Sequence, residues 1–174
     1  MKLDFPDIET ERLVLRPPSL DDWPGFAAFV ASPRSVHVGG PKPEDQAWRA
    51  FGHVVGHWVL RDFGAYVVCL KGSSRAIGLV GPWAPVGWPE PEIAWSLWDS
   101  AYEGQGIACE AARAARDHAF RTLGWTTAVS YIQPENVRSI RLAERLGARL
   151  DDAAPRPDGE RCLVYRHPNP GVAA

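Results

Sequence analysis

Apolar residues in the first part of the chain follow a strand pattern and then a helix pattern. Residues 12–16 alternate between polar and apolar side chains before two prolines, which predicts a strand. Ser19 is a good N-cap for a helix that carries Asp21 and Asp22 in its first turn, and Pro33 is suited to ending that helix. The predicted apolar face of this helix comprises Phe26, Phe29 and Val30.

The next patterns predict a longer helix and two strands. The helix is expected over residues 43–60, after a turn at 39–41. Its apolar residues at helical spacing are Trp48, Phe51, Val55 and Val59. The continuous apolar run at 65–70 is typical of a strand buried on both faces. A hairpin turn at 72–74 predicts that residues 76–83 return as its neighbour.

A strand followed directly by a helix occupies the centre of the chain. Residues 92–98 have strand character, and the strongest helical pattern begins after Gly106. Small residues form its predicted buried stripe: Ala108, Ala111, Ala112, Ala115 and Ala119. On its polar face, Arg113 and Asp117 have the spacing of an i,i+4 ion pair, and Gly124 is suited to ending the helix. The small stripe predicts close packing on a sheet.

The remaining elements complete a mixed architecture. Residues 126–132 are rich in β-formers, and Asn136 can cap a helix that ends at Gly147. Residues 148–152 and 161–166 predict two strands across a turn rich in Pro, Asp and Gly. The order is β, α, α, three strands, then α, β, α, β, β. This order favours an α/β or α+β fold, with helices on the faces of a mixed sheet.

Length and charge limit what the chain can be. Its 174 residues contain no repeat or linker, which predicts one domain over residues 1–174. A net charge of −2 gives no case for a nucleic-acid or membrane partner. The three scattered cysteines contain no CxxC pair and favour free thiols in a reducing compartment. Residues 1–11 do not resemble a signal peptide and no segment is long enough to span a bilayer, so we expect a cytoplasmic location.

Two common kinds of catalytic centre receive little support. His53 and His57 have the spacing of a helical zinc pair, but Val54 stands where a zinc protease needs glutamate. We therefore predict no metal site. There is no G-x-S-x-G nucleophile motif, and Cys109 is better explained as a small packing residue than as a nucleophile.

A short glycine loop joins the central strand to the best helix. Gly104 and Gly106 flank a single residue there, and the N-terminus of the following helix favours an anion. The loop lacks the Gly-Lys-Ser/Thr ending of an ATP-binding P-loop. It also lacks the third glycine of a dinucleotide-binding motif, where Cys109 stands. ATP and NAD are therefore disfavoured, and another phosphate-bearing ligand is favoured.

Several segments, in order, resemble the GNAT superfamily of N-acetyltransferases. Gly106 and Ala108 match the fixed small positions of its acyl-CoA pyrophosphate loop. The other matching segments are Glu9 to Arg16, Ile77-Gly78, Glu92 to Trp95, Gln133 to Ser139 and Glu144 to Gly147. Together they resemble the branch that contains the ribosomal-protein N-terminal acetyltransferases, over roughly residues 9–166. The resemblance implies the GNAT fold, with a mixed, mostly antiparallel sheet and helices on both faces.

The resemblance also implies acetyl-CoA as co-substrate and no metal. Its pyrophosphate would lie on the loop backbone, and its pantetheine arm would follow strand 92–98 where this strand splays from 126–132. The implied cofactor-binding residues are Ser96, Leu97, Trp98, Glu103, Gly104, Gln105, Gly106, Ile107, Ala108, Asn136 and Ser139. Glu103 departs from the Gln or Arg that the motif carries at this position. Because a carboxylate repels a pyrophosphate, we expect its side chain to point into solvent.

Catalytic roles follow from the same resemblance. Glu92 is the expected general base, acting through water, and Glu90 is the second choice. Ser139 is the expected proton donor to the thiolate, since Ala143 stands where many relatives have tyrosine. Trp83, Trp88 and Glu92 are the expected substrate-binding residues, and Trp58 is a further candidate for the same pocket.

The predicted activity is acetyl transfer to a primary amine by direct attack in a ternary complex. The acceptor stays open among a protein N-terminus, a polyamine, an amino acid and an amino-sugar antibiotic. The oligomeric state stays open between monomer and homodimer. The alternative function is a non-catalytic acyl-CoA-binding sensor on the same fold.

Overall fold

The structure is a computed structural model that describes residues 5–159 and 161–171. Its strands are β1 (Ile8–Glu9), β2 (Leu13–Arg16), β3 (Tyr66–Leu70), β4 (Ala76–Trp83), β5 (Glu92–Leu97), β6 (Val129–Ile132), β7 (Arg149–Leu150) and β8 (Leu163–Arg166). Its helices are α1 (Trp23–Ala31), α2 (Glu44–Arg61), α3 (Ile107–Arg121) and α4 (Val137–Arg145). Three short 3-10 segments are Leu20–Asp22, Pro33–Val38 and Ser100–Tyr102. The predicted elements are all observed in the predicted order, and the short strand β1 is an addition to them.

The strands form one sheet in the order β1-β2-β3-β4-β5-β6-β8-β7. Its neighbours are antiparallel except β5 and β6, which run parallel. This arrangement confirms the predicted mixed, mostly antiparallel sheet. The parallel pair is registered at a single position, Glu92 opposite Val129. Beyond it the two strands separate, as the predicted V requires.

Helices cover both faces of the sheet, and β3 shows why. Tyr66 and Val68 face the apolar cluster that contains α3, whereas Val67 and Cys69 face the cluster built by α1 and α2. All four side chains are buried. Burial of one large apolar side chain stabilises a fold by about 1.5–3 kcal/mol, so a strand packed on both sides anchors the whole sheet.

Helix α3 packs closely through its small residues, as predicted. Ala111, Ala112, Ala115 and Ala119 are fully buried, whereas Ala108 is only half-buried. The predicted partner of Asp117 is wrong, because Asp117 pairs with Arg116 at 2.7 Å. Arg116 is the more buried arginine and also donates to the carbonyl of Leu146, which fixes it beside Asp117.

The predicted buried face of α2 is wrong in part, because Phe51 is buried as predicted but two of the other predicted residues are exposed. Trp48 and Val59 are 51% and 48% exposed. The observed buried face comprises Ala47, Phe51, Val54, His57 and Trp58. His57 and Trp58 can be buried because their ring N–H groups donate to the carbonyls of Phe63 and Ala65. Apolar periodicity alone does not identify residues whose polar groups are buried through such hydrogen bonds.

Helix α4 begins and ends as predicted. Asn136 is its N-cap and accepts a hydrogen bond from the backbone of Ser139, and Gly147 follows the helix with a positive φ of 80°.

Across the described ranges, no helix has both the length and the apolar character needed to cross a membrane.

Candidate active site

The gap between β5 and β6 is held open by a side chain. The Ser130 hydroxyl donates to the carbonyl of Ile93 over 2.6 Å, where a strand ladder would use a backbone N–H. His167 Nε2 donates in turn to Ser130 Oγ over 2.9 Å. Burial lowers the pKa of His167 to about 3, so its ring is neutral. A buried hydroxyl therefore satisfies the hydrogen-bonding need of the Ile93 carbonyl at the apex of the V.

A cavity of about 490 Å³ lies at this V. It brings together most of the predicted catalytic and substrate-binding residues and part of the cofactor set: Trp83, Trp88, Glu92, Ser96, Asn136 and Ser139. A larger depression of about 1430 Å³ lies beyond Trp98, and neither Glu92 nor Ser139 lines it. The smaller cavity is the candidate active site because it joins a buried carboxylate to the open edge of β5.

Glu92 lies at the base of the cavity and is 8% exposed. Its Oε2 accepts a hydrogen bond from Trp88 Nε1 at 2.7 Å, and its Oε1 lies 3.4 Å from the amide nitrogen of Tyr131. Burial raises the pKa of Glu92 to about 7, and both hydrogen bonds oppose that rise. A carboxylate with this pKa is suited to general-base chemistry near neutral pH.

Glu90, the second choice as base, is engaged elsewhere. Its two carboxylate oxygens accept from Arg166 at 2.7 and 2.8 Å. The hydrogen bonds from Arg166 lower the pKa of Glu90, so it is a weaker base than Glu92. Its bonds join the loop before β5 to strand β8 and stabilise the fold.

Ser139 faces Trp95 across the V. Trp95 Nε1 donates to Ser139 Oγ at 3.1 Å, so one lone pair of the hydroxyl is occupied and its proton is available to another acceptor. The amide N–H of Ser139 donates to Asn136 Oδ1 at 3.2 Å. Asn136 thus uses one lone pair of its side-chain oxygen to cap α4, and its amide N–H groups can serve another acceptor.

The glycine loop has the geometry that its sequence requires. Gly104 and Gly106 have φ values of 73° and 77°, a region that favours glycine. Gly106 is the N-cap of α3, and the first N–H groups of a helix lack acceptors within it. Arg12 braces the loop by donating to the carbonyl of Gln105 at 3.0 Å, while its Nε pairs with Glu110 at 2.6 Å. Backbone donors at Ile107 and Ala108 therefore have a fixed direction.

The prediction that Glu103 points into solvent is wrong. Its side chain is 30% exposed and pairs with Arg34 at 2.7 Å and with Arg138. Arg34 also donates to the carbonyl of Leu97 at 3.1 Å. We call this set of three side chains the arginine bridge. It places two guanidinium groups beside the loop, so the charge of Glu103 is offset.

The register of β5 determines which of its backbone groups face β4 and which face the gap. Trp98 donates its N–H to Ile77 in β4, and successive residues of a strand point their polar groups to opposite sides. The N–H and C=O of Ser96 and Trp98 are therefore directed toward β4. Those of Trp95 and Leu97 face the gap, as the carbonyl of Ile93 does. The Trp98 side chain packs between Phe26 and Phe29.

Helix α2 fixes the ring of Trp83, which lines the cavity. The Trp83 ring stacks on His57, whose Nδ1 donates to Phe63 and whose Nε2 accepts from the amide of Ala84. Both ring nitrogens of His57 are used, which argues against a zinc pair with His53. In the part of the chain that the structure describes, no cluster of three or more His, Cys, Asp or Glu residues could hold a metal. Trp58 lies in the core and does not line the cavity.

Several contacts at the cavity have no local signal in the sequence. His37 Nδ1 lies 2.8 Å from Gln133 Oε1, which joins the segment after α1 to the loop before α4. Lys42 and Tyr131 also line the cavity. These residues contact partners that are distant in the chain, so only the folded structure identifies them.

Comparisons with known proteins agree with this geometry. The sequence model for the acetyltransferase (GNAT) domain matches residues 12–149. An acetyltransferase of Agrobacterium tumefaciens strain C58 is 42% identical, each chain covers 96% of the other, and the TM-score is 0.88. The uncharacterised N-acetyltransferase YnaD of Bacillus subtilis strain 168 is 26% identical over 150 residues, 83% of either chain.

A more distant structure shares the fold. The ribosomal L7/L12 alpha-N-protein acetyltransferase RimL, solved with coenzyme A, is 17% identical with a TM-score of 0.71, covering 93% of this chain and 96% of RimL. The splayed strands, the glycine loop before α3 and the family match over most of the sequence lead to one assignment. The chain belongs to the GNAT family of acetyltransferases.

Proposed function

We propose that the protein transfers an acetyl group from acetyl-CoA to a primary amine, with Glu92 as the general base. The observation that carries this proposal is a buried carboxylate whose pKa is about 7, on the cavity where β5 and β6 separate. A non-catalytic sensor would need the cavity but would have no use for a buried base. The coenzyme A in the RimL structure supports the choice of acyl donor.

The acetyl-CoA path follows the open side of β5 to the glycine loop. The pantetheine arm would pair with the gap-facing groups of Trp95 and Leu97. The pyrophosphate would accept from backbone N–H groups at Gly106 to Ala108, where the positive end of α3 favours an anion. Arg34 and Arg138 lie beside this loop and add positive charge there.

The chemistry uses two side chains in succession. Glu92 takes a proton from the ammonium group through water, and the neutral amine nitrogen attacks the thioester carbonyl carbon. A carbon–nitrogen bond forms, and the tetrahedral intermediate collapses as the carbon–sulfur bond breaks. The nitrogen then loses its second proton to water, and the thiolate receives a proton from Ser139, whose hydroxyl is regenerated from solvent. Glu92 releases the proton that it took to solvent, so the net reaction releases one proton. The products are an N-acetyl amide and coenzyme A.

A thiol-release assay with acetyl-CoA and a panel of amines tests the proposal. We expect turnover with at least one amine and formation of its N-acetyl product by mass spectrometry. Tight acetyl-CoA binding with no release from any amine would instead establish the sensor. The panel should span peptides, polyamines, amino acids and amino sugars, because each was open from the sequence.

Calorimetry with acetyl-CoA tests the cofactor path separately. Gly106→Trp should abolish binding, since a large side chain there would block the loop. Gly72→Trp is the matched control, because Gly72 also has a positive φ, 81°, and lies in the hairpin between β3 and β4. Unchanged affinity in Gly106→Trp, with Gly72→Trp also normal, would remove the loop from the site.

A further inference from the structure

The cavity has an unusual inventory of charges for an enzyme that acts on amines. Among its described lining residues, Glu92 is the one carboxylate and Lys42 is the one lysine. The remaining titratable side chains of the lining are His37, His53, Tyr131 and Cys162. An acceptor with several ammonium groups would therefore meet a lysine, and its extra cations would lack acidic partners.

Lys42 is held at the cavity by a well-fixed backbone. Its amide N–H donates to the carbonyl of Val30 at 3.0 Å. The amide N–H of Gly40 donates to the carbonyl of Ser35, also at 3.0 Å. The Ser35 hydroxyl lies 2.9 Å from the carbonyl of Val30 as well. The segment that carries Lys42 is thus tied to the end of α1.

The ammonium group of Lys42 is available to a ligand. The side chain is half-buried, and no acid in residues 5–159 or 161–171 forms an ion pair with it. Its Nζ lies close to Gly39, at the side of the cavity formed by the loop between α1 and α2. A partly desolvated cation without an acidic partner attracts an anionic group more strongly than an exposed one does.

Apolar side chains from α1 and α2 also line the cavity. Phe26, Phe29 and Val54 are buried in the cluster between α1, α2 and the sheet, and all three line the cavity. Trp83 packs against the same cluster, and Trp83 and Trp88 both add broad ring surfaces to the lining. Such walls favour a ligand with an aromatic or branched apolar body.

We propose that the acceptor is an amino carboxylate with an apolar body, of the class of aromatic and branched-chain amino acids. This proposal rests on the proposed function and specifies its substrate class. The amine is directed to Glu92, the carboxylate pairs with Lys42, and the apolar side chain lies against the phenylalanine and tryptophan walls. Polyamines and amino sugars are excluded as preferred acceptors because they lack the anionic group.

Matched pairs of amines test the role of the carboxylate. Tryptophan is compared with tryptamine and phenylalanine with phenethylamine, with spermidine and kanamycin as polycationic acceptors. A charge-assisted hydrogen bond is worth about 1.5–3 kcal/mol, so the wild type should favour each amino acid by about tenfold or more in kcat/KM. Equal kcat/KM within the pairs, or a preference for a polycation, would overturn the proposal.

Variants of Lys42 assign the preference to this residue. Lys42→Met should abolish the difference within each pair mainly through KM, and Lys42→Glu should reverse it. Lys71→Met is the control, because Lys71 pairs with Glu9 and does not line the cavity. Retained preference in Lys42→Met overturns the proposal. Thiol release with amines but no carboxylate preference overturns only this inference, whereas no release with any amine overturns the proposed function as well.

Discussion

Trp88 donates its indole N–H to Glu92 Oε2 over 2.7 Å, and this bond opposes the burial that raises the pKa of Glu92 to about 7. Without the bond, burial would keep the carboxyl group protonated at higher pH. Trp88, predicted from the sequence only as part of the pocket wall, thus also tunes the pKa of this carboxylate.

Replacing Glu92 should remove most of the activity. General-base catalysis contributes about 100-fold to 10,000-fold, so Glu92→Gln should lower kcat/KM by at least about 100-fold while the Kd for acetyl-CoA stays the same. Glu90→Gln is the control, because Glu90 is held by Arg166 and does not line the cavity. Steady-state kinetics and calorimetry measure both effects. A larger loss in Glu90→Gln at equal folded fraction would transfer the role of base to Glu90.

The activity should rise with pH through neutrality. The base works only when deprotonated, so kcat/KM should increase as pH passes through about 7. Trp88→Phe removes a hydrogen bond that favours the ionised carboxylate, so its inflection should move to higher pH. A pH–rate profile of both proteins shows the shift, and an unmoved or lowered inflection in Trp88→Phe would contradict this account of the pKa.

The same carboxylate should lower the stability of the fold as pH rises from 4.5 to about 7. Its pKa is raised from the ordinary 4.5 to about 7, so the folded state keeps a proton that the unfolded chain has lost between these values. Stability therefore falls as pH rises through this window, by roughly 3 kcal/mol in full. Urea denaturation should find Glu92→Gln more stable than wild type at pH 8 and about equal at pH 4. Lower stability of Glu92→Gln at pH 8 would contradict the prediction.

Ser139 should affect turnover through the proton of its hydroxyl. Its hydroxyl accepts from Trp95 and has its proton free for the thiolate, so Ser139→Ala should lower kcat by about 10-fold to 100-fold. Trp95→Phe keeps the hydroxyl but frees its orientation and should cause a smaller loss. Single-turnover rates show which of the two variants loses more activity. A normal rate in Ser139→Ala would assign the proton to another donor.

The arginine bridge should compete with the cofactor. Glu103 pairs with Arg34 and Arg138 beside the loop, so a phosphate must share these guanidinium groups with it. Glu103→Gln should tighten acetyl-CoA binding by about threefold to tenfold at low salt, and the gain should shrink as salt rises. Glu9→Gln makes the same change in net charge in β1, where Glu9 pairs with Lys71 at 3.3 Å, and should leave affinity unaltered. Weaker binding in Glu103→Gln would instead mean that Glu103 positions the loop.

Local patterns predicted the elements well because each carries its own signal. The strand at 76–83 is observed with those bounds, and Asn136 caps α4 through its own side chain. The buried face of α2 was missed because His57 is buried through a partner outside the helix. A hydrogen bond of this kind is a property of the fold, so periodicity does not contain it.

The candidate site was predictable only in part. The positions of Glu92, Ser139 and the glycine loop follow from motifs. The structure places Glu92 and Ser139 on one cavity and the glycine loop at the N-terminus of α3. The partners of Glu103 lie 69 and 35 residues away in the chain, and no spacing rule connects them. Lys42 is a single lysine in a loop, and its place at the cavity depends on how α1 and α2 pack.

The position at which β5 and β6 meet has an evolutionary consequence. Glu92 occupies the one registered pair of these strands, so the geometry of the sheet fixes the position of the proposed base. Most other walls of the cavity come from α1, α2 and the loop before β5, which are separate stretches of the chain. If the proposed function is correct, exchange of those stretches should change which amine is accepted while Glu92 stays in place.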